Sequence, residues 1–355
     1  MKPRVYGGIA FAALLFFLVQ VGAVALVPTF YAEGYQQVED PTDPANSLLY
    51  VGAILVATAL MLAAFKYDFD WAVRLVVVFT SGLLSWYVFG ALLPSLLSVV
   101  LAAGVAIALL AHPEWYVIDA AGVLMGAGAA ALFGISFGVL PAIVLLLALA
   151  VYDAISVYGT RHMLDLAEGV MDLRIPVVLV VPTTLSYSLL DTDFSGANEV
   201  HEGDGENDGN GSATPDGRDG TDEPGGEDTR GEMNPTEPNG EVDGTDHEGD
   251  DGAVRDAFFI GLGDAVMPTV MVASAAFFSS AASLGLSSLP ALNLPALTAM
   301  FGTFLGFFVL MWAVTKGRAH AGLPLLNGGA VGGYLLGSVV AGVPLVEAIG
   351  LAPYL

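Results

Sequence analysis

Apolar runs long enough to cross a bilayer recur along this chain, and two of them carry an aspartate well inside the run. These are Tyr152-Asp153 and Gly261-Leu262-Gly263-Asp264. A transmembrane helix needs about 20 consecutive apolar residues. An ionisable side chain within one is costly, so by default it marks function rather than packing. Two acids on consecutive spans at matching depth suggest a carboxyl dyad.

Composition narrows the class. Of 355 residues, 55% are hydrophobic and 13% charged, with a mean hydropathy of +0.69. A soluble protein of this size could not hide so much apolar surface, so the expected fold is an all-α polytopic membrane protein. Apolar windows place nine transmembrane helices near 6–31, 47–66, 71–93, 95–111, 117–137, 139–159, 257–280, 295–315 and 323–343. The first run is too long for a signal-peptide core and reads as a retained span. Pro94, Pro113, Pro141, Pro295 and Pro324 fall at span starts or in connections, where a missing N–H is tolerated. With no cysteine in the chain, disulfides, thiolate nucleophiles and Cys-based zinc sites are excluded.

The net charge of −25 is concentrated in residues 191–256, which hold 22 Asp/Glu against three Arg. This stretch is rich in Gly, Asp, Glu, Asn, Thr and Pro and has too little apolar surface to offset its ordering entropy, so a disordered loop is expected. The balance of three Lys against eight Arg beside so many acids resembles the acidic surface of a salt-loving organism. The chain thus divides into 1–160 with spans one to six and Asp153, a cytoplasmic loop 161–256 that is acidic and disordered from about 191, and 257–355 with spans seven to nine and Asp264.

Orientation follows from the eleven Lys and Arg. With the N-terminus inside, Lys2, Arg4, Lys66, Arg74, Arg161, Arg174, the three loop arginines, Lys316 and Arg318 all fall on one side, while Glu33, Glu39, Asp40 and Asp43 lie on the other. The positive-inside rule then assigns the N-terminus and the 161–256 loop to the cytoplasm and the C-terminus to the outside of the cell membrane. Depth follows too. Asp153 precedes Arg161 by about 12 Å of helix, and Asp264 follows Arg255 by about 14 Å. Both carboxyls are expected at similar depth below the cytoplasmic face.

Two carboxyls a few ångströms apart in a low-dielectric site cannot both ionise and titrate as a pair. That is the condition for acid–base hydrolysis of an amide: the ionised partner takes a proton from water, and the protonated partner gives one to the oxyanion and helps the amine leave. Neither a metal nor another cofactor is required. Gly261 and Gly263 remove side chains just before Asp264, so another backbone can approach and extended geometry is tolerated. Tyr152 is expected to add an aromatic wall and a phenol beside Asp153.

Tyr-Asp in one span, Gly-Leu-Gly-Asp in the next and a Pro-Leu-rich start to the last closely resemble the presenilin and signal peptide peptidase family of intramembrane aspartyl proteases, its archaeal presenilin homologues above all. The run from Leu149 through Tyr152-Asp153 to Tyr158 strengthens the match, which covers all nine spans and the large loop between spans six and seven. The resemblance implies a presenilin-like fold, catalytic Asp153 and Asp264, and support from Tyr152, Gly261, Leu262 and Gly263. The family's third motif, Pro-Ala-Leu, occurs literally at Pro290-Ala291-Leu292 and Pro295-Ala296-Leu297, both on the outer side by this topology. Pro324-Leu325-Leu326 has the motif's place at the start of span nine, with Leu325 departing from the family's Ala. The implied partners are transmembrane protein or peptide substrates and membrane lipid, with no nucleic acid and no obligatory accessory subunit. The N-inside orientation resembles presenilin, which implies substrates whose N-terminus is outside.

Other residues read more plainly. Asp119, just inside the cytoplasmic boundary, is explained by snorkelling or by a helix N-terminus. The histidines at 112, 162, 201, 247 and 320 lack metal-ligand spacing. Gly122 with Gly126, Gly328 with Gly332 and Gly333 with Gly337 form small-xxx-small faces for helix packing. Ile175–Val181, β-branched and punctuated by Pro176 and Pro182, reads as a strand or a membrane-skimming piece, and Asp165–Leu173 as a short interfacial helix. Two other functions stay open. In a secondary transporter or channel the same acids would carry protons or cations, although no internal repeat supports that class. A prepilin-type peptidase would have Lys where Val266 stands. Deleting roughly 195–250 should leave cleavage of a transmembrane peptide largely intact, since the stretch is predicted to be a linker. A truncated protein that is folded yet inactive would assign the acidic loop a part in substrate handling.

Overall fold

Mostly helical structure follows from the sequence, because a backbone in lipid must satisfy its polar groups internally. The structure, a computed structural model, describes residues 3–159, 175–184, 187–190, 257–314, 316 and 321–354. Within them α1 (Pro3–Ala32), α2 (Ala45–Lys66), α3 (Asp70–Leu92), α4 (Ser95–Ala111), α5 (Trp115–Ser136) and α6 (Val139–Gly159) precede β1 (Val178–Pro182). Then come β2 (Ala257–Gly261), α7 (Leu262–Phe278), α8 (Leu294–Val314), α9 (Gly322–Val340) and the short α10 (Leu345–Ala348). By length and composition, seven helices are long and apolar enough to cross a membrane, while α4 and α7 are apolar but shorter.

The core is built around α1 and α5, which pack on each other and on α7. Phe16, Val27, Phe30, Ala130, Ile135, Val270 and Phe307 are buried in it. On α2, α3 and α4, by contrast, Leu48, Leu49, Val56, Leu60, Phe79 and Leu96 are exposed. Apolar side chains on the outside of a polytopic bundle suit contact with lipid tails. Two helix ends are tied by one amide: Asn293 Nδ2 donates to the Ala275 carbonyl at 2.8 Å, and its Oδ1 accepts the Ala296 N–H at 2.9 Å as an N-cap for α8.

The start of the seventh apolar stretch departs from the sequence reading. Residues 257–261 form a strand rather than the first turns of a helix, so the fold is not wholly α-helical and Asp264 stands in the first turn of α7. Phe258, Phe259 and Ile260 suit a pleated strand, and the β-branched stretch 177–181 supplies its partner. β1 and β2 pair antiparallel, Val178 opposite Gly261 through Pro182 opposite Ala257. Of the two readings left open for Ile175–Val181, the strand holds for Val178–Pro182. The helix expected over 165–173 lies outside the described residues, as does Arg255.

Helices α8 and α9 form the most extensive pair. Gly302 and Gly306 of α8 meet the backbone at Gly329 and Leu325 of α9, and Gly333 and Gly337 meet Thr298. Of the small-residue faces read from sequence, Gly333 with Gly337 packs this way. Gly328 and Gly332 have no contact for an added Cβ within 4 Å. They lie one residue round the helix from the contact face. Gly306→Ala should therefore lower the thermal midpoint by the equivalent of about 1–3 kcal/mol of overpacking. Gly332→Ala should be neutral or stabilising by up to about 1 kcal/mol through helix propensity. Equal effects at both positions would show that the α8–α9 contact is not this close.

Candidate active site

The first backbone N–H groups of a helix have no partner within it. In α9 the N-cap residue is Ala321, which offers no side-chain acceptor. Asp153 of α6 takes that role. Its Oδ2 accepts the Leu323 N–H at 3.0 Å, and the Gly322 N–H bonds the same carboxyl. Asp153 is buried, with 6% of its surface exposed. Asp264 also comes close to Gly322: a Cβ placed there would stand 3.4 Å from Asp264 Oδ1. Acids from α6 and α7 thus both approach the first residues of α9.

Asp264 is half-buried at the third position of α7, where a negative charge is favoured by the helix dipole. Gly261 ends β2 with φ −59° and ψ 132°, a geometry open to any residue. A Cβ there would lie 3.6 Å from Asp264 Oδ2, an ordinary contact, so Gly261 places bare backbone beside that carboxyl without being demanded by a clash. Gly263 is exposed with open space beside it, and Leu262 is buried against α5. Tyr152 sits on the exposed side of α6, 38% accessible, next to the buried Asp153. One residue along a helix is a turn of about 100°, enough to separate the two side chains.

Pro324, Leu325 and Leu326 are the third to fifth residues of α9. Pro324 falls where a missing N–H costs nothing, the Leu325 carbonyl meets Gly306, and Leu326 is fully buried with Phe307 and Leu310. Asn327 adds a second tie to α6 by donating to the Leu146 carbonyl at 3.0 Å. The two literal Pro-Ala-Leu strings lie around Asn293, at the far end of α7 from Asp264. Roughly 20 Å of helix separates them from the acids.

Beside Asp264 is a cavity of about 250 Å³, lined chiefly by apolar groups: Phe258 to Gly261 of β2, Gly8 and Ala12 of α1, Met311 of α8 and Gly322. Among the described residues no three His, Cys, Asp or Glu side chains gather as metal ligands would.

Two acids near the site were underestimated or missed in the sequence. Asp119 is 3% exposed and accepts the Val180 N–H at 2.8 Å, so it neither snorkels nor serves its own helix N-terminus. Glu114, before α5, accepts the Ser188 hydroxyl at 2.7 Å and the Leu189 N–H at 3.0 Å. All three bonds span more than 60 residues, so no local pattern could reveal them.

A family model for signal-peptide peptidase, presenilin aspartyl protease matches residues 13–343. The chain belongs to that family, whose members are membrane aspartic endopeptidases. Two solved structures of a presenilin family intramembrane aspartate protease are similar to it. One, in space group C222, is 28% identical with a TM-score of 0.57 and covers 94% of this chain and 99% of its own. The other, in space group P2, is 29% identical with a TM-score of 0.52 and covers 92% and 96%. No curated protein matches the chain.

Glu114 yields a pH test. Burial alone would raise its carboxyl, but the Ser188 hydroxyl, the Leu189 and Trp115 N–H groups and the nearby His112 hold it below the ordinary 4.5. A depressed carboxyl contributes stability that is present above the unfolded value and lost as pH falls through the folded one. The protection factor of the Leu189 amide, taken against the intrinsic exchange rate at each pH, should therefore fall as pH drops below about 4.5, and Glu114→Gln should flatten the dependence. A wild-type profile as flat as the variant's would remove this anchor.

Proposed function

We propose that this chain is an intramembrane aspartyl endopeptidase that hydrolyses peptide bonds within transmembrane segments of substrate proteins, with Asp153 and Asp264 activating water. The observation that carries this reading is the approach of those two acids, from different helices, to the first residues of α9. In the family's setting the pair holds one proton. The ionised carboxyl draws a proton from the water between them, the oxygen attacks the substrate carbonyl, and the protonated carboxyl donates to the developing oxyanion. Collapse of the tetrahedral species then expels the amine, protonated by the acid that took the water's proton.

A helical substrate hides its carbonyls in its own hydrogen bonds and must be locally extended before water can reach them. The cavity beside Asp264 offers an extended segment a place alongside β2. The backbone there has no side chain at Gly261 or Gly263 to obstruct it. Pro324-Leu325-Leu326 fixes the floor of the site. With α4 and α7 counted, the chain spans the cell membrane nine times, with the N-terminus and the 161–256 loop cytoplasmic and the C-terminus outside. Family membership disfavours the transporter reading of the same acids.

Purified protein mixed with a labelled transmembrane peptide should cleave it, and a transition-state-type aspartyl inhibitor should stop the reaction. Asp264→Asn, Asp264→Ala and Asp153→Asn should each reduce cleavage to the uncatalysed background while remaining folded, because each destroys the shared-proton pair. Asp153→Ala should lose stability as well, since the start of α9 loses its acceptor. Cleavage that survives in either asparagine variant would sink the mechanism.

A further inference from the structure

A carboxylate buried among apolar helices is costly unless it is paired or hydrogen-bonded. Asp119 is such a group, and the strand it bonds leads to Asp264. The Leu262 N–H donates to the Val177 carbonyl at 2.7 Å, which makes Val177 and Leu262 a hydrogen-bonded pair. Such pairs alternate in an antiparallel ladder. In the observed register Leu179 then bonds Ile260 and Val181 bonds Phe258, while Val180 turns its N–H away from β2. That outward donor is the one Asp119 Oδ1 accepts at 2.8 Å. Pro182 falls in the same outward set, where its missing N–H costs the ladder nothing.

The rest of this face of α5 seats the same elements. Asp119, Gly122 and Gly126 follow one another at helical spacing along a single stripe. A Cβ on Gly122 would lie 2.9 Å from Leu179 Cδ2, and one on Gly126 3.3 Å from both Leu262 Cδ1 and Val266 Cγ2. One stripe therefore holds β1 by a polar tie and a side-chain contact, and α7 by its first turns. Asp264 lies within those turns, three residues beyond the end of β2.

We propose that Asp119 is a positioning residue for Asp264. By fixing β1 against α5 it sets where β2 ends, and so where the Asp264 carboxyl stands relative to Asp153. The inference rests on the protease reading above, and it gives Asp119 no contact with substrate. Its function is geometric, so an acceptor at this position matters and a proton does not.

The test uses the full chain with a labelled transmembrane peptide, reading kcat, KM, thermal midpoint and amide exchange over 178–182. Asp119→Ala should remain folded, exchange the Val180 amide roughly tenfold faster, and lose about 10–100-fold in kcat with KM little changed, as expected for a misplaced catalytic group. Asp119→Asn keeps an oxygen acceptor and should restore kcat to within about fivefold of wild type, the level expected if the Val180 bond survives. If Asp119→Ala does not fold, Gly122→Val disturbs the same seat with Asp119 intact and should show the same loss of kcat. A folded Asp119→Ala, or a Gly122→Val, with wild-type kcat would overturn the proposal. So would an Asp119→Asn protein as inactive as Asp264→Asn, which would make the proton essential. A wild type that does not cleave, or an Asp264→Asn that does, overturns the protease reading and the positioning role with it. That outcome is distinct from a failure confined to the Asp119 variants.

Discussion

The start of α9 is the point on which the site depends. Its first N–H groups have no partner inside the helix, and Ala321 supplies none. The acceptor is a carboxyl from α6. A hydrogen bond to a charged group is worth about 1.5–3 kcal/mol, and a buried carboxyl without such partners would be strongly disfavoured. Each group therefore resolves the other's problem. The contact also fixes the separation of α6 and α9 at one depth, and Asn327 fixes it again two turns away. Close packing of α8 on α9 holds the arrangement from behind, because Gly306 lets the Leu325 backbone approach where any side chain would intrude.

The second acid is delivered by different means. A transmembrane helix would have carried Asp264 deep within a continuous hydrogen-bonded rod. A strand that ends at Gly261 and turns into α7 instead places it in the first turn, at the edge of a cavity. The strand is short, and a two-stranded sheet alone is marginal. It persists because β1 is fastened to α5 by Asp119, and the segment after it by Glu114. One acid stands within a helix and the other in the first turn of a helix that follows an anchored strand.

Much of this was legible in the chain, for physical reasons that can be named. The six helices before residue 160 and the two last long ones were visible because apolar runs report lipid-facing and core-facing residues alike. Asp153 and Asp264 stood out because acids are rare in such runs. The expectation for Pro324-Leu325-Leu326 rests on the charges of Lys316 and Arg318 rather than on its letters; the structure puts these residues near the start of α9. The strand at 257–261 was hidden, since Phe258, Phe259 and Ile260 are as apolar as a helix segment and period cannot separate the two in so short a run. The anchoring roles of Asp119 and Glu114 were invisible for another reason. Their partners, Val180 and Leu189, lie 61 and 75 residues away and are backbone amides, which carry no sequence signature.

These ties also divide the site into fixed and open parts. Asp153, Leu326 and Leu262 are buried and held by helix–helix contacts, so they form the floor. Gly261, Gly263 and Tyr152 are exposed, and the cavity adjoins β2 rather than another helix. On the proposed reading, the two acids must stay in register while an unwound segment and a water molecule enter. The position of Asp153 is held by a bond to a backbone N–H group, which does not depend on a substrate. Access comes from the two glycines, where the chain has no side chain to move aside. Changes to the first set should therefore act on the rate of the chemical step, and changes to the second on which segments are admitted.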